Sequence, residues 1–250
     1  DGGGRAKRVL CVPNDRKTPK IRINTRHAHQ IASQRIVVVI DAWLASSPYP
    51  AGHFVRALGE IGETASETAA LLLEADVDDR PFAPAVHKCV PPLPWKVTEE
   101  HVEEPNREDL RNLRVCSVDP PGCRDIDDAL SAVVVPKNDG VEGEEEIEIG
   151  VHIADVTTFL KPGTPMDDEA LRRGTTTYLV QRRLDMLPKP LTEDICSLRA
   201  DVERLAFTVF WRVDPATMLP RKDVKPRFTK SIIKSSKACL LYTSPSPRDV

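Results

Sequence analysis

Five prolines, Pro81, Pro84, Pro91, Pro92 and Pro94, fall within fourteen residues about a third of the way along the chain. A proline ring fixes φ and removes an amide donor, so neither a helix interior nor a central strand runs through such a band. The chain is therefore expected to divide here. Residues 1–80 form one domain, 81–109 a Pro-rich linker or strap with a short helix near Arg107–Leu113, and 110–239 a second domain. A length of 250 residues suits two modest domains.

Upstream of the prolines the pattern is β. KIRINTR (20–26) alternates basic with apolar or small residues, as a half-buried strand does, with Lys20 and Arg22 on its wet face and Arg26 at its end. RIVVVID (35–41) is almost unbroken β-branched sequence, and a third strand is expected over His53–Gly59 beyond two turn-forming clusters. Short strands with a basic face suit an oligonucleotide-binding (OB) barrel. The same pattern also fits a β domain with an ordinary solvated face. Residues 60–76 favour helix in their second half.

Downstream, strands are expected at Ala129–Val135 and Glu146–Val156, joined by a polar loop over 136–145, and again at Phe207–Val213. Thr175–Val180 is also β-rich. Between them lies a fully punctuated helix: Thr164 as N-cap, Pro165 at the first helical position, Asp167 three residues after the cap, and Gly174 closing after Arg172 and Arg173. Strands and helices in these proportions predict an α+β chain. The final stretch, 240–250, is Ser/Pro-rich and aperiodic, and is expected to pack poorly.

Composition narrows the partners. No apolar run approaches the roughly 20 residues of a membrane-spanning helix, so no membrane role is expected. Thirty-five Lys and Arg against 38 Asp and Glu leave a net charge of −3. Nucleic acid would have to meet local basic patches, there being no global positive field. Six cysteines contain no C-x-x-C pair, which argues against zinc and fits a reducing compartment. The chain starts at Asp1 with no charged-then-apolar stretch, so no secretory signal is expected within it.

The segment richest in chemistry is DPPGCRDIDDAL, residues 119–130, which carries Asp119, Asp125, Asp127 and Asp128 within ten positions. The Pro-Pro-Gly turn can fold Asp119 back onto the other three. Four converging carboxylates repel one another unless a cation joins them, and all-oxygen ligation favours Mg²⁺ or Mn²⁺. A solvated acidic turn is the bland alternative. A calcium loop fits less well, because its Gly and Glu positions are absent. A paired-metal phosphodiester site is the matching chemistry.

Taken together, DPPGCRDIDDAL, GVHIADVTTFLKPGTPMD, RRGTTTYLVQRRLDMLP and LTEDICSLRADVERLAFTVFW resemble, in this order, the catalytic domain of the ribonuclease II family. KIRINTRHAHQIASQRIVVVIDAW upstream points to that family's branch serving the eukaryotic RNA exosome. The resemblance spans roughly residues 9–238. It implies a cold-shock-type OB domain followed by a truncated catalytic domain of mixed α/β structure. It also implies hydrolytic 3′→5′ exoribonuclease activity on single-stranded RNA, with Mg²⁺ held by Asp119, Asp125, Asp127 and Asp128 and nucleoside 5′-monophosphates as products. Exosome core subunits are the implied protein partners, and nucleus and cytoplasm the implied location.

By the same resemblance Tyr178 stacks on the terminal nucleotide, although a tyrosine in such a stretch otherwise reads as core. Arg172, Arg173, Arg182 and Arg183 flank it and are candidates to hold phosphates, or are merely solvated. His152 and Asp155 read as structural support, since a two-metal site needs no histidine base. The family's catalytic domain continues further, and CLLYTSPSPRDV departs from it, so this chain is expected to be a fragment. Two rival readings remain: a non-catalytic RNA-binding module and a metal-dependent DNA nuclease.

Overall fold

The computed structural model describes residues 6–137 and 145–240 and divides the chain after Arg80 into two units. The first holds β1 (Lys7–Cys11), β2 (Ile21–Thr25), the short α1 (Ala28–Ile31), β3 (Gln34–Ala42), β4 (Ala51–Glu60) and α2 (Thr64–Glu74). Its strands pair in the order β1-β2-β4-β3. The alternation in β2 is as expected: Ile21 and Ile23 are 5% and 1% exposed, while Arg22 is half-buried and Asn24 exposed between and beyond them. Three register shifts between β3 and β4 mark bulges, which bend and twist a long strand pair. In α2, Ser66, Ala70 and Leu72 are buried, and Arg35 reaches from β3 to Glu67 at 2.9 Å.

The second unit holds α3 (Pro84–His87), α4 (Glu99–Val102), β5 (Arg107–Asp109), β6 (Val115–Asp119), β7 (Asp128–Pro136), β8 (Glu145–Ala154), α5 (Pro165–Arg173), β9 (Thr177–Tyr178), β10 (Arg183–Leu184), β11 (Glu203–Val213) and β12 (Arg227–Leu240). The large sheet runs β11-β8-β7-β6-β12-β5, and β11 also pairs with β12. That extra pairing closes β11, β8, β7, β6 and β12 into a five-strand barrel, with β5 attached to β12. Val115, Ile126, Ala129, Ala154, Ala206 and Ile233 pack with Met166 and Ala170 of α5 and with Leu191, Ile195 and Leu198 in one core.

Inside the barrel runs a line of polar side chains, one from each of four neighbouring strands. Ser131 Oγ lies 2.9 Å from His152 Nε2, His152 Nδ1 2.8 Å from Thr208 Oγ1, and Thr208 Oγ1 2.6 Å from Ser231 Oγ. Ser231 donates to the Ala206 carbonyl at 3.3 Å. Each hydroxyl has one proton to give, so Thr208 donates to Ser231, His152 donates from Nδ1 to Thr208, and Ser131 donates to Nε2. His152 is fully buried, and burial pushes its pKa down to about 4. Gly150 is required beside it: a Cβ there would meet Ser131 Oγ at 2.5 Å and Phe210 Cε1 at 2.9 Å.

Helix α5 matches its punctuation: Thr164 Oγ1 accepts from the Asp167 amide, Pro165 opens the helix, and Gly174 ends it at φ 71°. Two expectations are corrected. Residues 81–109 fold into the second unit and are no free linker: Val86 is 3% exposed, and Trp95 meets Phe159 edge-on with ring centroids 5.2 Å apart. The short helix near Arg107–Leu113 is instead β5, parallel to β12, because the fully buried Arg107 guanidinium must reach Asp155 at 3.0 Å and the Ser231 carbonyl at 3.2 Å. Of the β-rich 175–180 only Thr177–Tyr178 is strand. β7 and β8 pair antiparallel as a hairpin, its loop residues 138–144 lying outside the described residues. The expected loose tail begins differently, since Leu240 ends β12 opposite Asp119, and 241–250 lie outside the described residues.

Candidate active site

Asp119 ends β6 and Asp128 begins β7, so barrel geometry brings back together the two ends of the acidic segment. The loop between them is pinned by Ile126, 6% exposed, whose amide donates to Ser197 Oγ at 3.2 Å and whose carbonyl accepts from Leu198 at 2.8 Å. Ser197 in turn donates to the Arg124 carbonyl at 2.7 Å, and the Ala154 amide donates to the Asp127 carbonyl at 2.9 Å. With Ile126 turned into the core, its neighbours Asp125 and Asp127 are left at the surface side of the loop.

Their electrostatics reflect the crowding. Burial around the Asp127 carboxyl, reinforced by the charges of Asp128, Asp125 and Asp119, raises its pKa above the usual carboxylate range. One oxygen of Asp119, Oδ2, is buried without a hydrogen-bond partner. Burial, then Asp125 and Asp119, also raise the Cys123 thiol, which sits 3.8 Å from Asp125 Oδ1. An orphaned carboxylate oxygen and a mutually repelling set of hard oxygen donors suit a divalent cation such as Mg²⁺. The set is not drawn together as it stands: among the described residues no three His, Cys, Asp or Glu side chains are grouped closely enough to hold a metal ion.

Asp125 instead meets a guanidinium. Arg183 Nη1 lies 2.6 Å from it, Nη2 lies 3.0 Å from Glu193 Oε1, and Nε bonds Asp185. Burial works against the Arg183 charge, but its hydrogen bond to Asp125 and the charges of Asp185 and Asp125 outweigh it and raise the pKa. Arg183, a candidate phosphate contact in the sequence, thus spends its donors on carboxylates. Arg173 is likewise committed: its side chain is 7% exposed, pairs with Glu169 at 2.8 Å and lies over the Phe82 ring at 4.1 Å. Arg172 pairs with Glu169 as well and keeps part of its surface. Arg182 is exposed, next to the turn closed by the Leu179 amide on its carbonyl at 2.9 Å.

Tyr178 is no core tyrosine. It is 71% exposed on the two-strand β9–β10 ribbon, directly opposite Arg183. In the first unit, Lys20 and Arg26 are exposed at either end of β2, while Arg22 is half-buried with its guanidinium 6.0 Å from the Tyr49 ring centroid. His152 and Asp155 are structural, as expected. Asp155 is buried against Arg107 and accepts from Thr157 and Thr158 hydroxyls, each at 2.7 Å. Sequence reasoning missed Asp185, Glu193 and Arg107. The alternation of Arg183 and Asp185 about an apolar Leu184 was the one local signal for the first.

No helix among the described residues is long and apolar enough to cross a membrane. The RNB domain family matches residues 107–243, and the Dis3-like cold-shock domain 2 (CSD2) family matches 8–76. The chain is 56% identical over 247 residues to the exosome complex exonuclease RRP44 homolog A of Arabidopsis thaliana, covering 99% of this chain and 25% of that protein. To the exosome complex exonuclease dis3 of Schizosaccharomyces pombe it is 52% identical over 240 residues, covering 94% and 24%. It therefore spans about a quarter of the length of these relatives. In fold it is similar to apo RNase R of Mycoplasma genitalium, with a TM-score of 0.74 at 17% identity over 94% of this chain and 36% of that one. Yeast Ssd1, described as a pseudonuclease, gives a TM-score of 0.71 at 22% identity over 96% and 30%. An RNB domain carrying all four aspartates behind a Dis3-like cold-shock domain makes this chain a member of the RNB, or ribonuclease II, family.

Proposed function

We propose that this chain is the cold-shock and leading catalytic part of a Mg²⁺-dependent exoribonuclease. That enzyme degrades single-stranded RNA from its 3′ end and releases nucleoside 5′-monophosphates. The observation that carries the reading is the buried, unpartnered Oδ2 of Asp119 at the end of β6, with Asp125 and Asp127 on the loop that leads into β7 and Asp128 at the start of that strand. Burial first, and then the charges of Asp128, Asp125 and Asp119, raise the Asp127 pKa, an electrostatic cost that a bound cation would relieve. Asp119, Asp127 and Asp128 would hold the cation, with Asp125 joining once released from Arg183. Held there, a Mg²⁺ ion would supply activation of water near neutral pH and charge stabilisation for the leaving oxygen. The exposed Tyr178 ring offers a stacking face for the terminal base of any identity. The relatives' names support work within an exosome complex; core subunits as partners and a place in nucleus and cytoplasm are part of what we propose.

A second reading, RNA binding without hydrolysis, is favoured by the hold of Arg183 on Asp125 and by the fold shared with a pseudonuclease. One experiment separates them. In the longer protein that carries this segment, Asp127→Asn keeps the side-chain size and removes one charge. Hydrolysis of a 3′-overhang RNA, followed on a gel with Mg²⁺, is expected to collapse while anisotropy still reports RNA binding. Degradation at the parental rate would refute the site. An equal rate on a DNA strand of the same sequence would refute RNA as the substrate.

A further inference from the structure

We propose that Arg183 is a positioning residue that ties the exposed Tyr178 ring to the Asp125 carboxylate, so that seating of a terminal base and the arrangement of the acidic cluster are set together. The proposal rests on the reading of Tyr178 as a stacking ring.

A ribbon of two-residue strands does not hold its own shape in water. β9 and β10 make only the pairs Arg183–Tyr178 and Leu184–Thr177, so the ribbon takes its position from what its side chains grip. Residues directly opposite in an antiparallel pair project from the same face, with Cβ atoms about 5 Å apart. A displacement of the Tyr178 backbone, which seats the ring, is thus felt at the base of Arg183. At its other end the guanidinium is fixed three ways, to Asp125 of the β6–β7 loop, to Asp185 just after β10, and to Glu193 in the π-helical turn Pro190–Ile195. Asp125 is the one member of the acidic cluster among them. A planar fork with several donors can bridge segments in this way, whereas an ammonium is a point charge that cannot. Arg183 therefore joins the only ring exposed on this ribbon to one carboxylate of the cluster.

A simple phosphate contact would look different. Such an arginine keeps donors for its ligand, but Arg183 gives its donors to three carboxylates and its side chain is 19% exposed. Loss of Arg183 should therefore leave affinity for RNA largely intact. It should free the ribbon, and it should free Asp125 to meet a cation. The last two effects have opposite signs in two measurements, which general damage to the fold would not produce.

The test uses the longer protein carrying this segment, with Arg183→Met, Arg183→Lys, Tyr178→Ala and the Tyr178→Ala/Arg183→Met pair, each checked for a cooperative melt. Mn²⁺ binding without RNA is read by electron paramagnetic resonance, and kcat and KM on a 3′-overhang RNA by product gels. Arg183→Met is expected to lower kcat about tenfold or more with KM within about twofold, and to tighten Mn²⁺ about threefold or more because a competing cation is gone. Arg183→Lys, which keeps the charge without the fork, should lower kcat and leave Mn²⁺ affinity near the parent. Tyr178→Ala should have its full effect in the parent and little further effect beside Arg183→Met. Effects that multiply independently, with Tyr178→Ala itself effective, would overturn the coupling alone. A Tyr178→Ala protein with parental rate and product lengths would overturn the stacking reading and the coupling with it. A raised KM with unchanged kcat in Arg183→Met would assign Arg183 to phosphate. Should Arg183→Met fail to melt cooperatively, Arg183→Lys with parental kcat would overturn the proposal.

Discussion

Arg107→Met removes one member of a buried ion pair. The Arg107 and Asp155 side chains are 0% and 2% exposed and 3.0 Å apart, so the variant leaves a carboxylate deep in the second unit without its main counter-charge. Breaking such a pair from one side costs about 3–5 kcal/mol. The Thr157 and Thr158 hydroxyls and Lys230, 3.6 Å away, remain beside Asp155, which places the cost near the low end, about 3 kcal/mol. For a unit of this size that is a fall in Tm of about 6–12 °C. Urea unfolding followed by the fluorescence of Trp95 and Trp211 reads it directly. Adding Asp155→Asn removes the stranded charge, so the double variant should recover at least half of the loss. Strict additivity of the two substitutions would refute the argument. The pH dependence carries a second check. Burial alone would raise the Asp155 pKa, but hydrogen bonds from Thr157, Thr158 and Arg107 hold it below the ordinary value. Its stabilising effect is therefore complete above the unfolded pKa of about 4 and is lost as pH falls through the folded value. The penalty of Arg107→Met should shrink on acidification below that point, and a constant penalty would contradict the pairing.

Gly150→Ala should lower stability of the second unit by about 1–3 kcal/mol, because its Cβ would strike Ser131 Oγ and Phe210 Cε1; an unchanged thermal melt would refute the tight packing inside the barrel. Nitrogen NMR should find His152 neutral, protonated at Nδ1 and silent between pH 5 and 8, and a titration near pH 6.5 would contradict its burial. If Lys20, Arg22 and Arg26 each meet a phosphate, replacing all three by Ala should flatten the slope of log affinity for RNA against log salt by about 2; an unaltered slope would exclude them.

How much was legible in the sequence depends on the range over which each signal acts. Helix α5 could be read to the residue because Thr164, Pro165, Asp167 and Gly174 act within a few positions of one another. β7 declared itself by its apolar run and β8 by alternation. β12 did not, since FTKSIIKSSKACL mixes polar and apolar residues for a strand whose partners change along its length. β5 was misread because Arg107 lies amid charged residues that suggest a solvated helix, while its partner Asp155 stands 48 positions away. The aspartates were visible as a local string. What Asp125 touches was not, because Arg183, itself held by Glu193, reaches it only through the folded chain.

The changing partnership of β12 bears on how a ribosome delivers this domain. Its first half pairs with β11 over Arg227–Lys234 and its second half with β6 over Ser235–Leu240, and β5 joins it alongside. Among the described residues, the last barrel strand made is thus the one that both free edges of the β11-β8-β7-β6 sheet wait for. Until residue 240 clears the exit tunnel, those edges present unpaired amides and carbonyls, the template on which β-rich nascent chains associate wrongly. Ser231, which terminates the polar line inside the barrel, arrives in the same strand. The domain then passes from an open, association-prone sheet to a closed one in a single late step, and a messenger cut short before the codon for Arg227 would leave every copy of its product at the hazardous stage.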